Sequence, residues 1–347
     1  MQNVLAMVHR KNAADGSHGA ICATHQKHFQ IGNLPHLHAV APKDYVKQKN
    51  RRYGDFFLQN TYIYTTIQIM FKRIFKNKEK LYIYVVGGLG NRMFQYAAGY
   101  SYAKKHNKKL FIDDIDINKS HTKLVDTFNI KHREEKCVAP QKTFSENMGI
   151  FLRDYMDFDG FDSLLGYFQD SSLFNQHRRK LLKSFTIKNK QTCPENIQYA
   201  KQIKKCNSVS IHIRRTDYLT AFPNSILDEY YYNQAISYIT SRLKEPHFFI
   251  FSDDIDWVCK HIHFKTPHTF ITCNQSPESA VWDMHLMSLC KHNIIANSTF
   301  SWWAAWLNNN RNKIIVSPST WIIDEPITIN TTKYIIPNDW ITLPTHD

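Results

Sequence analysis

The chain has 347 residues, 43% hydrophobic and 14% aromatic, and a formal net charge of +14. That length holds two ordinary domains or one large one, and the apolar share excludes a wholly disordered chain. The basic surplus suits an anionic partner, whether nucleic acid, a lipid headgroup or a phosphorylated small molecule, and fits equally a Lys-rich surface without one.

Residues 1–60 lack periodicity and read as a poorly ordered extension, and the whole N-terminal region is taken as 1–78. Its end mixes Phe56, Phe57, Tyr62, Tyr64, Phe71 and Phe75 with Lys72, Arg73, Lys76 and Lys78. That pattern suits either an interfacial membrane-binding segment or a helix packed on the first domain. Leu81–Val86 is a β-prone run, Gly87-Gly88-Leu89-Gly90 a tight turn, and Asn91–His106 has helical spacing. Lys104, Lys105 and His106 close that helix, where cations suit the dipole, and Leu110–Asp113 is the next strand. This βαβ unit implies a parallel sheet. Residues 114–206 are less regular.

Alternation then returns, with strands at Val209–Ile213, Phe248–Phe251, Thr269–Thr272, Asn293–Ala296 and Lys313–Val316. Helices are predicted after Asp254, over Pro277–His292 with Pro in the first turn, and over Phe300–Asn308. The fold class is therefore α/β: a first Rossmann-like domain over 79–200 and a second over 201–347, facing each other across a cleft. No apolar run reaches the roughly 18 residues of a spanning helix, and no apolar core near the start marks a signal peptide. The seven cysteines, Cys22, Cys137, Cys193, Cys206, Cys259, Cys273 and Cys290, contain no C-x-x-C pair. Their scatter argues against a structural zinc site or a disulfide framework, and for a reducing, cytoplasmic setting, peripheral to a membrane if the 56–78 segment binds one.

Four segments carry chemistry, the last two taken together. The glycine turn brings backbone within reach of a ligand at a helix N-terminus, although a bare βα connection would look the same. It lacks the small residue of a dinucleotide fingerprint at Met93 and the Lys-Ser/Thr of an NTPase loop. In the second segment, period two puts Val209, Ile211 and Ile213 on one face and Ser210, His212 and Arg214 on the other. Arg214 and Arg215 fall at the strand's carboxyl end, where such sheets bind ligands and where arginine suits phosphate oxygens. Asp217 could orient either arginine or hold a substrate hydroxyl, and the alternative is a surface ion-pair cluster. In the third, Phe251-Ser252-Asp253-Asp254 offers a ribose or base acceptor or a helix cap, and adjacent carboxylates make a poor metal cage. Ser298, Thr299 and Ser301 could cap a helix and bond phosphate, while Phe300, Trp302 or Trp303 could stack on a base or belong to the core.

Together the segments VVGGLGNRMFQYAAGYSYAKKH, LLGYFQDSSLF, VSIHIRRTDY, FFIFSDD and DMHLMSLCKHNIIANSTFSWWAAWLN resemble the α-1,2-fucosyltransferases of glycosyltransferase family 11. The resemblance spans about residues 81–340, with Arg92 where the family usually has Gln and Thr216 where it usually has Gly. It implies a GT-B-like fold, no metal or other cofactor, and inverting transfer of L-fucose from GDP-β-L-fucose to the 2-hydroxyl of a terminal β-galactoside. Carried over, it puts Arg214 at the pyrophosphate as the main catalytic group, with His212 and Asp217 beside it. Gly90, Asn91, Asp253, Ser298, Thr299 and Phe300 border the donor, and Gln95 joins Asn91 on the cleft wall. The acceptor is a galactose-terminated oligosaccharide or lipid-linked glycan. The same donor with α-1,6 or protein O-linkage is the nearest rival. Nucleic-acid binding is disfavoured because the basic residues are dispersed and no binding module is present.

Overall fold

The computed structural model describes residues 79–114, 123–131, 133–135, 137, 140–146, 150–262, 264–323 and 332–346. The extension and the candidate membrane segment expected within 1–78 lie outside them. Among the described residues no helix is long and apolar enough to cross a membrane.

The apolar run at the start becomes β1 (Lys80–Val85), followed through the glycine turn by α1 (Leu89–Lys105) and β2 (Lys109–Asp114). Three strands of two or three residues complete the sheet: β3 (Arg133–Glu134), β4 (Thr143–Ser145) and β5 (Ser163–Leu165). All pairings are parallel, in the order β3-β2-β1-β5-β4. Connections therefore diverge at β1 and β5, whose carboxyl ends form this sheet's crevice.

After α2 (Arg178–Ser184) and α3 (Pro194–Lys205), β6 (Asn207–Ile213) starts a second parallel sheet. It continues through α4 (Glu229–Thr240), β7 (Pro246–Ser252), α5 (Ile255–His261) and β8 (His268–Phe270). Then come α6 (Ala280–Leu289), β9 (His292–Ile294), α7 (Thr299–Leu307), β10 (Ile315–Pro318) and β11 (Ile341–Leu343). The order β11-β10-β9-β6-β7-β8 is the doubly wound arrangement of a dinucleotide-type sheet, with its switch between β6 and β9. The predicted α/β class and parallel sheets are present. The helix predicted over Pro277–His292 starts three residues later. Ser276 and Ser279 hydrogen-bond each other's backbone N–H groups, so Pro277 sits in a turn ahead of the helix.

One face of the second sheet sets Val209, Ile211, Ile213 and Ile250 against Tyr231, Tyr232, Ala235 and Ile239 of α4 and Val258 of α5. The other face sets Phe249 and Phe251 in a larger cluster that also holds the first sheet's core. Its centre is α7, a helix apolar all round and so buried all round. Trp302 and Trp303 lie with their ring centres 4.4 and 5.0 Å from Phe94 of α1. The tryptophans weighed as base-stacking groups are core residues that join the two sheets.

Candidate active site

Three of the four predicted segments converge at the switch between β6 and β9. Arg214–Tyr218 leaves the end of β6, Asp253 and Asp254 follow β7 beside it, and Asn297–Phe300 joins β9 to α7.

Arg214 is held by two carboxylates: Nη1 lies 3.0 Å from Asp253 Oδ2 and Nη2 2.6 Å from Asp217 Oδ1. Of the two partners left open for Asp217, the structure selects Arg214. Asp253 gathers other donors besides that guanidinium. It accepts from Arg215 N at 2.9 Å, Thr216 N at 3.2 Å and the Thr216 hydroxyl. Four donors on one carboxylate make Asp253 the group that folds the 214–216 loop, rather than a free acceptor for ribose or base. The Thr216 hydroxyl, an addition where the family usually has glycine, joins that hub. Asp254 takes the helix-capping role: it accepts from Trp257 N at 3.4 Å and from Arg215 Nε at 3.3 Å. The Arg215 guanidinium also lies 3.3 Å from the Trp257 ring centre. Arg215 is thus fastened to α5, and Arg214 is the arginine presented at the switch.

His212 is 3% exposed, with its ring centre 5.7 Å from that of Phe300. Burial drives its pKa down to about 4, against the pull of Asp253 and with help from Arg214. It is neutral near pH 7, with one N–H and one lone pair to offer, and too weak a base to hold a proton there. Two buried atoms on this strand end have no hydrogen-bond partner: His212 Nδ1 and Arg214 Nε. Such orphans are uncommon in a folded chain.

Ser298 caps α7, its Oγ accepting from Phe300 N at 3.4 Å. Thr299 is where the start of α7 meets the start of α1. A Cβ on Gly90 would lie 2.5 Å from the Thr299 carbonyl carbon. The space that glycine leaves is therefore filled by protein backbone, which corrects the reading of Gly90 as a place for ligand approach. Asn91 is half-buried, its Oδ1 accepting from Gln169 Nε2 at 3.0 Å. Gln95, expected on the cleft wall, is 1% exposed. Its amide bridges the ends of β1 and β5, accepting from Val86 N at 2.9 Å and donating to Gly166 O at 3.0 Å. Arg92 likewise braces the turn, through Gly87 O at 2.8 Å and Asp114 Oδ1 at 3.0 Å.

Several bracing residues carried no sequence signal. Tyr218 OH donates to Asn297 O at 2.6 Å, and Asn297 Nδ2 donates to Ser225 O and Trp321 O. Tyr232 OH donates to His212 O at 3.1 Å. These bonds span twenty to eighty positions of chain, so no local pattern announces them. Among the described residues no group of three His, Cys, Asp or Glu is placed to hold a metal ion.

Comparison with known proteins places this geometry. The model of glycosyl transferase family 11 matches residues 46–343, beginning well before the first described strand. The O-antigen biosynthesis glycosyltransferase WbnK of Escherichia coli is 32% identical over 308 residues, covering 76% of this chain and 100% of that protein. An alpha-1,2-colitosyltransferase of Escherichia coli is 31% identical over 285 residues, covering 70% of this chain and 92% of its own. The galactoside alpha-(1,2)-fucosyltransferase 2 of Sus scrofa is 26% identical over 239 residues, covering 65% and 68%. The chain belongs to glycosyltransferase family 11.

Proposed function

We propose that this glycosyltransferase moves L-fucose from GDP-β-L-fucose to the 2-hydroxyl of a terminal galactose on a glycan, with inversion and without a metal. The observation that carries the reading is the pair of orphaned atoms, His212 Nδ1 and Arg214 Nε, at the switch point. A nucleoside diphosphate offers acceptor oxygens for an arginine's N–H groups and for a neutral histidine's N–H. The sugar and the linkage rest on the relatives, one named as a galactoside alpha-(1,2)-fucosyltransferase. The O-antigen relative favours a bacterial surface-glycan acceptor, free or lipid-linked. The colitosyltransferase favours a second reading with the same site and a donor sugar lacking one hydroxyl.

In this mechanism negative charge grows on the β-phosphate as the C1–O bond breaks, and the sugar becomes oxocarbenium-like. The Arg214 guanidinium, held in place by Asp253 and Asp217, meets that charge without reorganising. Losing such a contact costs on the order of 10²–10³ in rate. Asp217, with its side chain 59% exposed, can yield its hold on Nη2 when phosphate arrives. His212, neutral, donates to the donor. Asp253 and Asp254 are engaged by arginines, which is why a metal is left out of the proposal.

The test is an assay of GDP release with GDP-fucose and terminal galactosides, with linkage read by NMR, in buffer with excess EDTA. Wild type should turn over and Arg214→Ala should fold but lose most of kcat. Arg214→Lys, which keeps charge and loses the planar fork, should recover only part. Near-normal turnover by folded Arg214→Ala sinks the site, a need for added manganese sinks the metal-free step, and use of GDP-colitose alone sinks the fucose assignment.

A further inference from the structure

The transfer needs somewhere for the acceptor's proton to go, and two groups at the donor end are poorly suited to take it. His212 is too weak a base and Asp253 is saturated with donors. The first sheet holds a carboxyl at its own crevice. Glu146 follows β4, its N–H bonding Leu165 O at 2.8 Å, so it continues the sheet at its carboxyl edge. Its Oε2 accepts from Tyr167 N at 3.0 Å and Phe168 N at 2.7 Å. The turn after β5 is bent around this carboxyl. Phe168 has φ of 51°, a left-handed conformation that a bulky residue adopts only when held there. A Cβ on Gly166 would fall 2.5 Å from Glu146 Cβ, so glycine is what lets the carboxyl come in beneath the turn.

That turn is tied to the donor site's wall. Gly166 O accepts from Gln95, Gln169 donates to Asn91, and Gly90, the residue before Asn91, touches Thr299. Burial raises the Glu146 carboxyl to about 7, against the two backbone N–H groups, and Asp170 adds to the rise. The charged group acting on it is Asp170 of the same turn, itself paired to Arg153 at 3.3 Å. A carboxylate that titrates near the operating pH is matched to proton abstraction from a hydroxyl.

We propose that Glu146 is the general base of the transfer, which rests on the transferase reading above. The acceptor oxygen bonds to C1 of the donor sugar as the C1–O bond to the β-phosphate breaks. The electron pair leaves with the nucleoside diphosphate, and the hydroxyl proton passes to Glu146 Oε1, the oxygen that carries neither backbone bond. Two oxygens thus divide the work: one holds the turn, the other takes the proton.

The experiment is the pH profile of kcat for wild type, Glu146→Gln and Glu146→Asp, with GDP affinity and thermal midpoint measured on each. Glu146→Gln keeps an oxygen for the backbone bonds and loses the base. Its kcat should fall on the order of 10²–10⁴-fold, its acidic limb should flatten, and its GDP affinity and midpoint should hold. Glu146→Asp should keep a limb at reduced rate. A Glu146→Gln enzyme with wild-type kcat and an unchanged limb overturns the proposal. So does loss of GDP binding and stability in step with kcat, which would make the carboxyl a brace alone. Should wild type use GDP-colitose and refuse GDP-fucose, the fucose reading falls, and the same profiles run with that donor still decide Glu146.

Discussion

Asp253 and Asp283 differ in burial and in partners: Asp253 is part-exposed, Asp283 buried. Asp253 is surrounded by cationic and N–H donors. Asp283 on α6 has one amide, Asn274 Nδ2 at 2.7 Å, and Asn274 in turn pairs with Asn196. Burial raises Asp283 to about 7 against that single bond. Its folded pKa lies above the ordinary 3.8, so the folded chain binds the extra proton between those values. Stability from this group is therefore complete at the acid end and is lost as pH rises toward 7. Asp283→Asn should match wild type at the acid end and exceed it above pH 7, removing a slope on the order of 1.4 kcal/mol per pH unit. Parallel melting curves for the two proteins across that range would refute the assignment. At this scale the sequence was informative where chemistry follows period: alternation alone put His212 and Arg214 on one side at the end of β6. It was silent about Asp253 as a hub and about Glu146, because their partners come from other strands.

The elements that read clearly are those with a sustained pattern: β1, α1, β2, β6, β7, β9 and α7. The 114–206 stretch resisted reading because β3, β4 and β5 are two or three residues long, too short to show a period. Helix α4 went unread although Asp228 caps it, accepting from Tyr230 N and Tyr231 N. The joint between α1 and α7 is a matter of elements, and it bears a prediction. Gly90→Ala drives a methyl to within 2.5 Å of Thr299 backbone, which no side-chain rotation relieves. Overpacking of this kind costs about 1–3 kcal/mol. It also separates the turn carrying Asn91 from the turn carrying Ser298. Thermal melts and kcat should both fall, and an unchanged melting midpoint would show that the two helix starts are not in contact.

Among the described residues the two sheets share one cluster that runs from Leu81 and Phe94 through Trp302 and Trp303 to Phe251 and Trp340. Because the sheets share it, the described residues should unfold in a single thermal transition, with GDP raising the midpoint as any ligand of the native state does. Two transitions in calorimetry would show the lobes to be independent. What the sequence determined alone was the α/β class, the doubly wound second half and the arginine strand end, since period, glycine turns and strand-end residue types act over a few neighbouring positions. The contact of Gly90 with Thr299, the core role of the tryptophans, the use of Gln95 as a clamp and the turn built around Glu146 were decided only by tertiary structure. Each depends on groups dozens of residues apart meeting at the carboxyl edges of two sheets, and no local pattern encodes where those edges come together.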